Sequence, residues 1–181
     1  MHFKKTIITD KMTRLTIDDF EQIFDIMEAS FPSDEYRTKQ GQRALFCDPR
    51  YYVFGKKQAG RLVGFIALWQ LDSLVFIEHF AVCPDLRGGG IGSALICEVL
   101  KDAKKTVCLE VEPPCDDITR RRIGFYKRCG FVFNDFDYTQ PAMADGKNPI
   151  PLRIMTYKEA LLEPQFNNLR DVLYKDIYHV V

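Results

Sequence analysis

Four glycines within five positions, Gly88, Gly89, Gly90 and Gly92, lie between Arg87 and Ser93. Such a run removes the side chains that would hold a ligand away from the main chain. Apolar residues precede it (Val75, Phe76, Ile77, then Phe80, Ala81, Val82), which predicts a strand running in. Ile91, Leu95, Ile96, Val99 and Leu100 follow at helical spacing, which predicts a helix running out. The first amides of that helix have no partner within it, and they carry the positive end of its dipole. A strand–glycine–helix junction of this kind suits a phosphate or pyrophosphate.

The spacing of the glycines narrows the choice of phosphate ligand. A P-loop requires Lys directly after its last glycine, and no lysine follows here until Lys101, which argues against nucleotide hydrolysis. A dinucleotide fingerprint begun at Gly88 and Gly90 puts its third small position on Ser93; begun at Gly90 and Gly92, it falls on Leu95. Glu110 lies at about the distance of that fold's ribose-binding acid, so the dinucleotide alternative is weakened rather than removed.

Arg-x-x-Gly-x-Gly, read as Arg87, Gly90 and Gly92, fits better. The stretch from Phe80 to Gly92 resembles the acyl-CoA loop of the GNAT superfamily of N-acetyltransferases. Phe125-Tyr126-Lys127-Arg128-Cys129-Gly130-Phe131 is similar to the family's Tyr-x-x-x-Gly-Phe segment, and Ser30-Phe31-Pro32 to the end of its first helix. The motifs stand in the family's order, and the resemblance covers roughly Thr13 to Tyr157.

The resemblance implies acetyl-CoA as co-substrate, with the amides from Arg87 through Gly88, Gly89, Gly90, Ile91 and Gly92 to Ser93 holding the pyrophosphate. Phe80, Ala81 and Val82 would pair with the pantetheine like an added strand. It also implies that the fourth and fifth strands splay apart to admit that arm, that the first two helices cover the acceptor pocket, and that Tyr126 is the general acid for the departing thiolate. Departures from the family pattern are Thr119, where many members carry Asn, and Arg122 in place of a small residue.

Acyl transfer to an amine also needs a proton acceptor. Glu78 stands in an otherwise apolar run, where an unpaired acid is costly, so it is the first candidate for the general base. His79 would point to the other face of the strand unless a bulge intervenes. Glu110 and Glu112 on the next strand are further options for holding a cationic amine, and with Glu78 and Glu35 they would make an acidic mouth. The reading is direct transfer of an acetyl group to a primary amine of a small molecule or peptide. The alternative is a non-catalytic acyl-CoA-binding or sensing module.

Composition bounds this reading. The 181 residues carry 25 basic and 25 acidic side chains, so no general pull toward nucleic acid or an anionic membrane is expected. The short basic groups Thr119 to Arg122 and Lys101 to Lys105 read as solvated helix faces, with CoA phosphate contacts as the functional alternative. No apolar run approaches the ~20 residues of a membrane span, and the start of the chain lacks a signal-peptide pattern. Six cysteines occur without a Cys-x-x-Cys pair or Cys/His cluster, so no metal site is expected and a cytoplasmic, thiol-reducing setting is. Cys97 and Cys108 read as small core residues; Cys83, Cys115 and Cys129 lie near the cleft without a paired His.

The elements that must position these groups follow from periodicity. Met1 to Lys11 reads as a loose lead-in and Thr13 to Leu15 as a strand. A capped helix is expected from Thr16 to Phe31 and a second, polar one over Glu35 to Phe46. Strands are expected over Tyr51 to Gly55 and Leu62 to Trp69, joined by Lys56 to Arg61, and over Leu74 to Cys83. After the glycine-loop helix come a strand over Thr106 to Glu112, a helix over Asp116 to Cys129, and strands over Phe131 to Tyr138 and Leu152 to Tyr157. The sum is an α/β fold: β-α-α-β-β-β-α-β-α-β-β, a GNAT-like mixed, mostly antiparallel sheet flanked by helices. A C-terminal helix from Pro164 follows, packing on its own sheet or serving a homodimer. The whole, 1–181, is expected to be one domain with a core at 13–157 and a helical extension at 160–181.

Overall fold

Apolar stretches in immediate succession build the middle of the sheet. β2 (Tyr51–Gln58) turns through Ala59 and Gly60, both at positive φ, into β3 (Arg61–Gln70), and β4 (Leu74–Val82) returns antiparallel beside it. This two-residue turn matches the twist of paired strands, so the ladder continues through residues that the sequence assigns to a longer link. The computed structural model describes residues 11–101 and 103–180. Apart from Lys11, the expected N-terminal lead-in lies outside the described residues.

β1 (Thr13–Arg14), β5 (Thr106–Val111), β6 (Phe131–Gln140) and β7 (Ile150–Tyr157) complete a seven-stranded sheet ordered β1-β2-β3-β4-β5-β7-β6. Every neighbouring pair is antiparallel except β4 and β5, which run parallel. The mixed, mostly antiparallel sheet is therefore as expected, and it does not have the all-parallel order of a dinucleotide-binding fold.

Alternation along β3 divides the interior in two. Phe65, Ala67 and Trp69 face a core shared with α1 (Phe20–Ser30) and α5 (Glu163–Leu173). Ile66 and Leu68 face the core shared with α3 (Ile91–Leu100) and α4 (Asp117–Arg128). Phe166, Leu169 and Leu173 of α5 are buried. Each such side chain contributes roughly 1.5–3 kcal/mol by leaving water, which accounts for the C-terminal helix packing on its own sheet. Leu162, the residue just before α5, is exposed. Among the described residues, no helix is long and apolar enough to cross a membrane.

Two expected helices differ in form. Thr16 and Asp19 do make a reciprocal capping box, but around a 3-10 turn, Ile17–Asp19, from which α1 then starts. The second expected helix is broken. A 3-10 turn at Ser33–Glu35 gives way to extended backbone at Tyr36, and only α2 (Lys39–Ala44) is α-helical, capped by the Thr38 hydroxyl. The extended Tyr36–Thr38 link brings Glu35 and Arg37 toward the sheet. The β6–β7 connection clamps this segment: Asn148 donates to Asp34 through its main-chain and side-chain nitrogens, and Lys147 donates to the Ser33 carbonyl.

β6 carries a wide bulge: Asp135, Phe136 and Asp137 lie opposite Arg153 alone, between the Asn134–Ile154 and Tyr138–Leu152 pairs. Phe136 stacks on Phe166 of α5 at 4.7 Å, and Arg153 pairs with both aspartates.

At the C-terminal end of α4, Gly130 holds φ at +93°, and a Cβ there would lie 2.9 Å from the Tyr157 ring. Gly130→Ala is therefore expected to lower stability by about 1–3 kcal/mol, measured by urea unfolding at neutral pH. A loss below a few tenths of a kcal/mol would contradict the strain assigned to this turn.

Candidate active site

The parallel pairing of β4 with β5 covers only four residue pairs, from Leu74–Thr106 to Ile77–Leu109. Beyond it the strands part. Cys83 donates to the Val63 carbonyl on the β3 side, so by alternation Phe80 and Val82 turn their main-chain groups toward the opening. At the fork β4 bulges: Ala67 pairs with His79 and Leu68 with Ile77, leaving Glu78 as the extra residue. The bulge brings both Glu78 and His79 to the wall of one cleft of about 530 Å³. That size is typical of a small-ligand site.

The glycine loop forms one end of the cleft. Gly90 precedes α3 with φ at +82°, no side chain caps the helix, and a Cβ on Gly90 would meet nothing within 4 Å. The first amides of α3 are thus left for a ligand, and the open cradle fits a diphosphate. A Cβ on Gly92 would come within 3.2 Å of Phe80, so Gly92 lets the helix approach β4. Arg87 holds the loop rather than filling it: its Nε donates to the Val82 carbonyl at 3.2 Å and its Nη2 to Ser30 Oγ at 3.4 Å. Phe80, Ala81, Val82, Arg87, Gly88, Gly90, Ile91, Gly92 and Ser93 all line the cleft; Gly89 alone of the expected set does not.

At the fork the sequence-predicted proton acceptor meets a cation. Arg37 donates to Glu78 Oε1 at 2.7 Å, with only 12% and 1% of the two side chains exposed. Burial works to raise the carboxyl's pKa, but Arg37 and then His79 outweigh it and hold it at about 2. A carboxylate paired in this way with a guanidinium is a weak proton acceptor at neutral pH, which argues against the base role expected of Glu78. The Glu35 carbonyl accepts from His79 Nε2 at 2.9 Å, and His79 Nδ1 faces Glu78 Oε2 at 3.6 Å.

Glu110 differs in each respect. It lines the same cleft, and its oxygens accept from two phenols, Tyr138 and Tyr178. Burial drives its pKa up, the two phenols only partly oppose this, and it comes to about 7. Glu35, which also lines the cleft, is likewise pushed up, by burial and then by Glu112.

Tyr126 is buried, yet its side chain reaches the cleft. Among the described residues its hydroxyl has no hydrogen-bond partner. Burial raises its pKa against the pull of Arg122, so the phenol stays protonated. Arg122 pairs with Glu112 inside the cleft, whereas Thr119 closes a reciprocal cap with Asp116, 2.7 Å from its amide to Oδ1. Ile118 of α4 stands 68% exposed and lines the cleft. Cys108 is buried as expected, and Cys83 is buried too, but Cys97, expected in the core with Cys108, is exposed on α3.

The sequence profile of the acetyltransferase (GNAT) family matches residues 17–131. The chain belongs to the GNAT family. Among its GNAT relatives, the candidate acetyltransferase YjbC of Bacillus subtilis is 34% identical over 100 residues, 54% of this chain and 50% of YjbC. An uncharacterized N-acetyltransferase of Methanocaldococcus jannaschii is 30% identical over 140 residues, 70% of this chain and 61% of that protein. The chain thus spans about half to three-fifths of the curated relatives it matches. A solved structure of a candidate GNAT acetyltransferase from Bacteroides thetaiotaomicron aligns with a TM-score of 0.83 at 29% identity, over 94% of this chain and 99% of that one.

In this GNAT chain, the groups that sequence reasoning missed lie on elements far apart in sequence. Arg37 sits in a link read as helix, and Tyr138 and Tyr178 are ordinary members of apolar patterns. Spacing along a single strand or helix carries no signal for any of them.

Because folding raises the Glu110 pKa, its contribution favours the folded chain fully below the ordinary value of 4.5 and fades as pH rises through about 7. Glu110→Gln is expected to leave stability nearly unchanged at pH 4.5 and to raise it by about 3 kcal/mol at pH 8.5. Urea unfolding of both proteins across this range is the check, and parallel curves would show that Glu110 titrates normally.

Proposed function

We propose that the chain is an acetyl-CoA-dependent N-acetyltransferase that moves an acetyl group to a primary amine of a small molecule or peptide by direct attack. The observation that carries this reading is the fork between β4 and β5, with an anion cradle at one end and a proton acceptor and a proton donor beside the gap. Acetyl-CoA supplies the activated acetyl thioester. The free amides of Ile91, Gly92 and Ser93 hold its pyrophosphate, and the unpaired main chain of Phe80 and Val82 holds the pantetheine as a strand would.

A primary amine arrives as an ammonium ion and must lose a proton before it can attack. Glu110 takes that proton, since its affinity lies near neutral pH, whereas Glu78 is committed to Arg37. Tyr126 donates its phenolic proton to the departing sulfur, with the Arg122 charge favouring the release. Glu35 and Glu112 complete an acidic wall that receives a cationic acceptor. Burial pushes the Cys108 and Cys129 thiols up, so neither offers the lowered thiol that a covalent acetyl carrier needs. The buried donor and acceptor beside the fork also favour catalysis over a module that merely binds acyl-CoA.

Calorimetry with acetyl-CoA, using CoA and NADH for comparison, tests the cradle. Saturable acetyl-CoA binding is expected, weakened at least tenfold by Gly90→Trp; a folded protein that binds none would overturn the reading. Assayed on a panel of primary amines, Tyr126→Phe and Glu110→Gln should each lower turnover by roughly 10²-fold while acetyl-CoA affinity stays nearly intact. Unchanged turnover would remove the role from that residue. Accumulation of an acetylated enzyme before acceptor is added would exclude direct transfer.

A further inference from the structure

The family match ends at Phe131, yet the site does not. After α5 the chain makes a wide π-type turn, Tyr174–Tyr178, closed where Val180 donates to the Tyr174 carbonyl at 3.0 Å. The Ile177 side chain is buried in the core that α5 shares with the sheet. Its carbonyl accepts from Arg37 Nη2 at 3.3 Å, and Arg37 is the counter-ion of Glu78. One residue further on, Tyr178 reaches both oxygens of Glu110, at 2.8 and 2.9 Å. A single turn therefore touches both carboxylate arrangements at the fork.

We propose that this C-terminal turn is a working part of the site, in which Tyr178 is a positioning residue that fixes Glu110 and sets the pH at which it takes up a proton. The inference rests on the reading of Glu110 as the proton acceptor. A carboxylate with free torsions beside an open cleft would turn toward water; two phenols on different elements leave it one orientation. Both phenols stay protonated because burial, and then Glu110, raise them well above the ordinary range, so they act as donors. The titratable groups around Glu110 are Glu78 and His79 from β4, with Arg37 behind Glu78; the phenols are Tyr138 from β6 and Tyr174 and Tyr178 from the turn. The Tyr138 and Tyr178 hydrogen bonds and His79 favour the ionised carboxylate, while Glu78 opposes it. Removing one phenolic donor should therefore raise the pH at which Glu110 ionises.

Infrared difference titration of the full chain, without acceptor or acetyl-CoA, reads this directly. The carboxylic-acid C=O band that vanishes in Glu110→Gln identifies the group. In Tyr178→Phe its midpoint should rise by about one pH unit. With 3-fluorotyrosine at position 178, a stronger donor, it should fall. The acid limb of kcat/KM for any amine accepted by the enzyme should move with it, while acetyl-CoA affinity holds. A midpoint unmoved by either replacement overturns the inference, whatever the activity. Midpoints that move as stated, in a protein that acetylates no amine, support the brace and count against the transferase reading instead.

Discussion

The early end of β4–β5 pairing is the constraint from which the site follows. Two parallel strands that separate after four pairs leave main-chain donors and acceptors without partners inside the sheet. Such groups must find water, a side chain or a ligand. At one end Arg87 takes the Val82 carbonyl. In the middle the edge of β4 stays open. At the fork, where the strands are still close and water is scarce, the chain places two carboxylates and surrounds each with donors contributed by other elements.

Those two carboxylates show how partners, rather than residue type, decide chemistry. Both are glutamates on sheet strands, and both suffer desolvation. A guanidinium at 2.7 Å favours the Glu78 anion, whereas the hydrogen-bond partners of Glu110 are neutral phenols and Glu78's negative charge lies within reach. Pairs of titratable groups pushed in opposite directions are a recurring arrangement in sites that move protons. The bulge at Glu78 belongs to the same design: the extra residue lets His79 face the cleft side as well, and its Nε2 ties β4 to the turn at Ser33–Glu35.

Much of this is legible in the sequence. The strand–glycine–helix junction, the Tyr126-to-Phe131 segment, the order of the elements and the presence of a C-terminal helix follow from local pattern, because each depends on neighbours in sequence. The bulge was legible only as a condition, since alternation by itself puts Glu78 and His79 on opposite faces. The break in the second helix was hidden by an acceptable helical pattern, which the clamp from the distant β6–β7 connection overrides. Glu78 stands out as a candidate base because an acid in an apolar run is conspicuous, whereas its partner Arg37 lies 41 residues away and leaves no trace beside it. Tyr178 lies 68 residues beyond Glu110, and a tyrosine in an amphipathic helix announces packing, not hydrogen bonding.

The bulge in β6 bears on how the molecule meets others of its kind. β6 is the last strand of the sheet, and an outer strand ordinarily offers a row of free amides and carbonyls for another chain to extend. Here the row is interrupted at Asp135–Asp137, two exposed aspartates project from the rim, and Phe136 between them is committed to Phe166. The device that docks α5 against the sheet therefore also makes this border hard to lengthen, and it protects the protein against strand-to-strand aggregation.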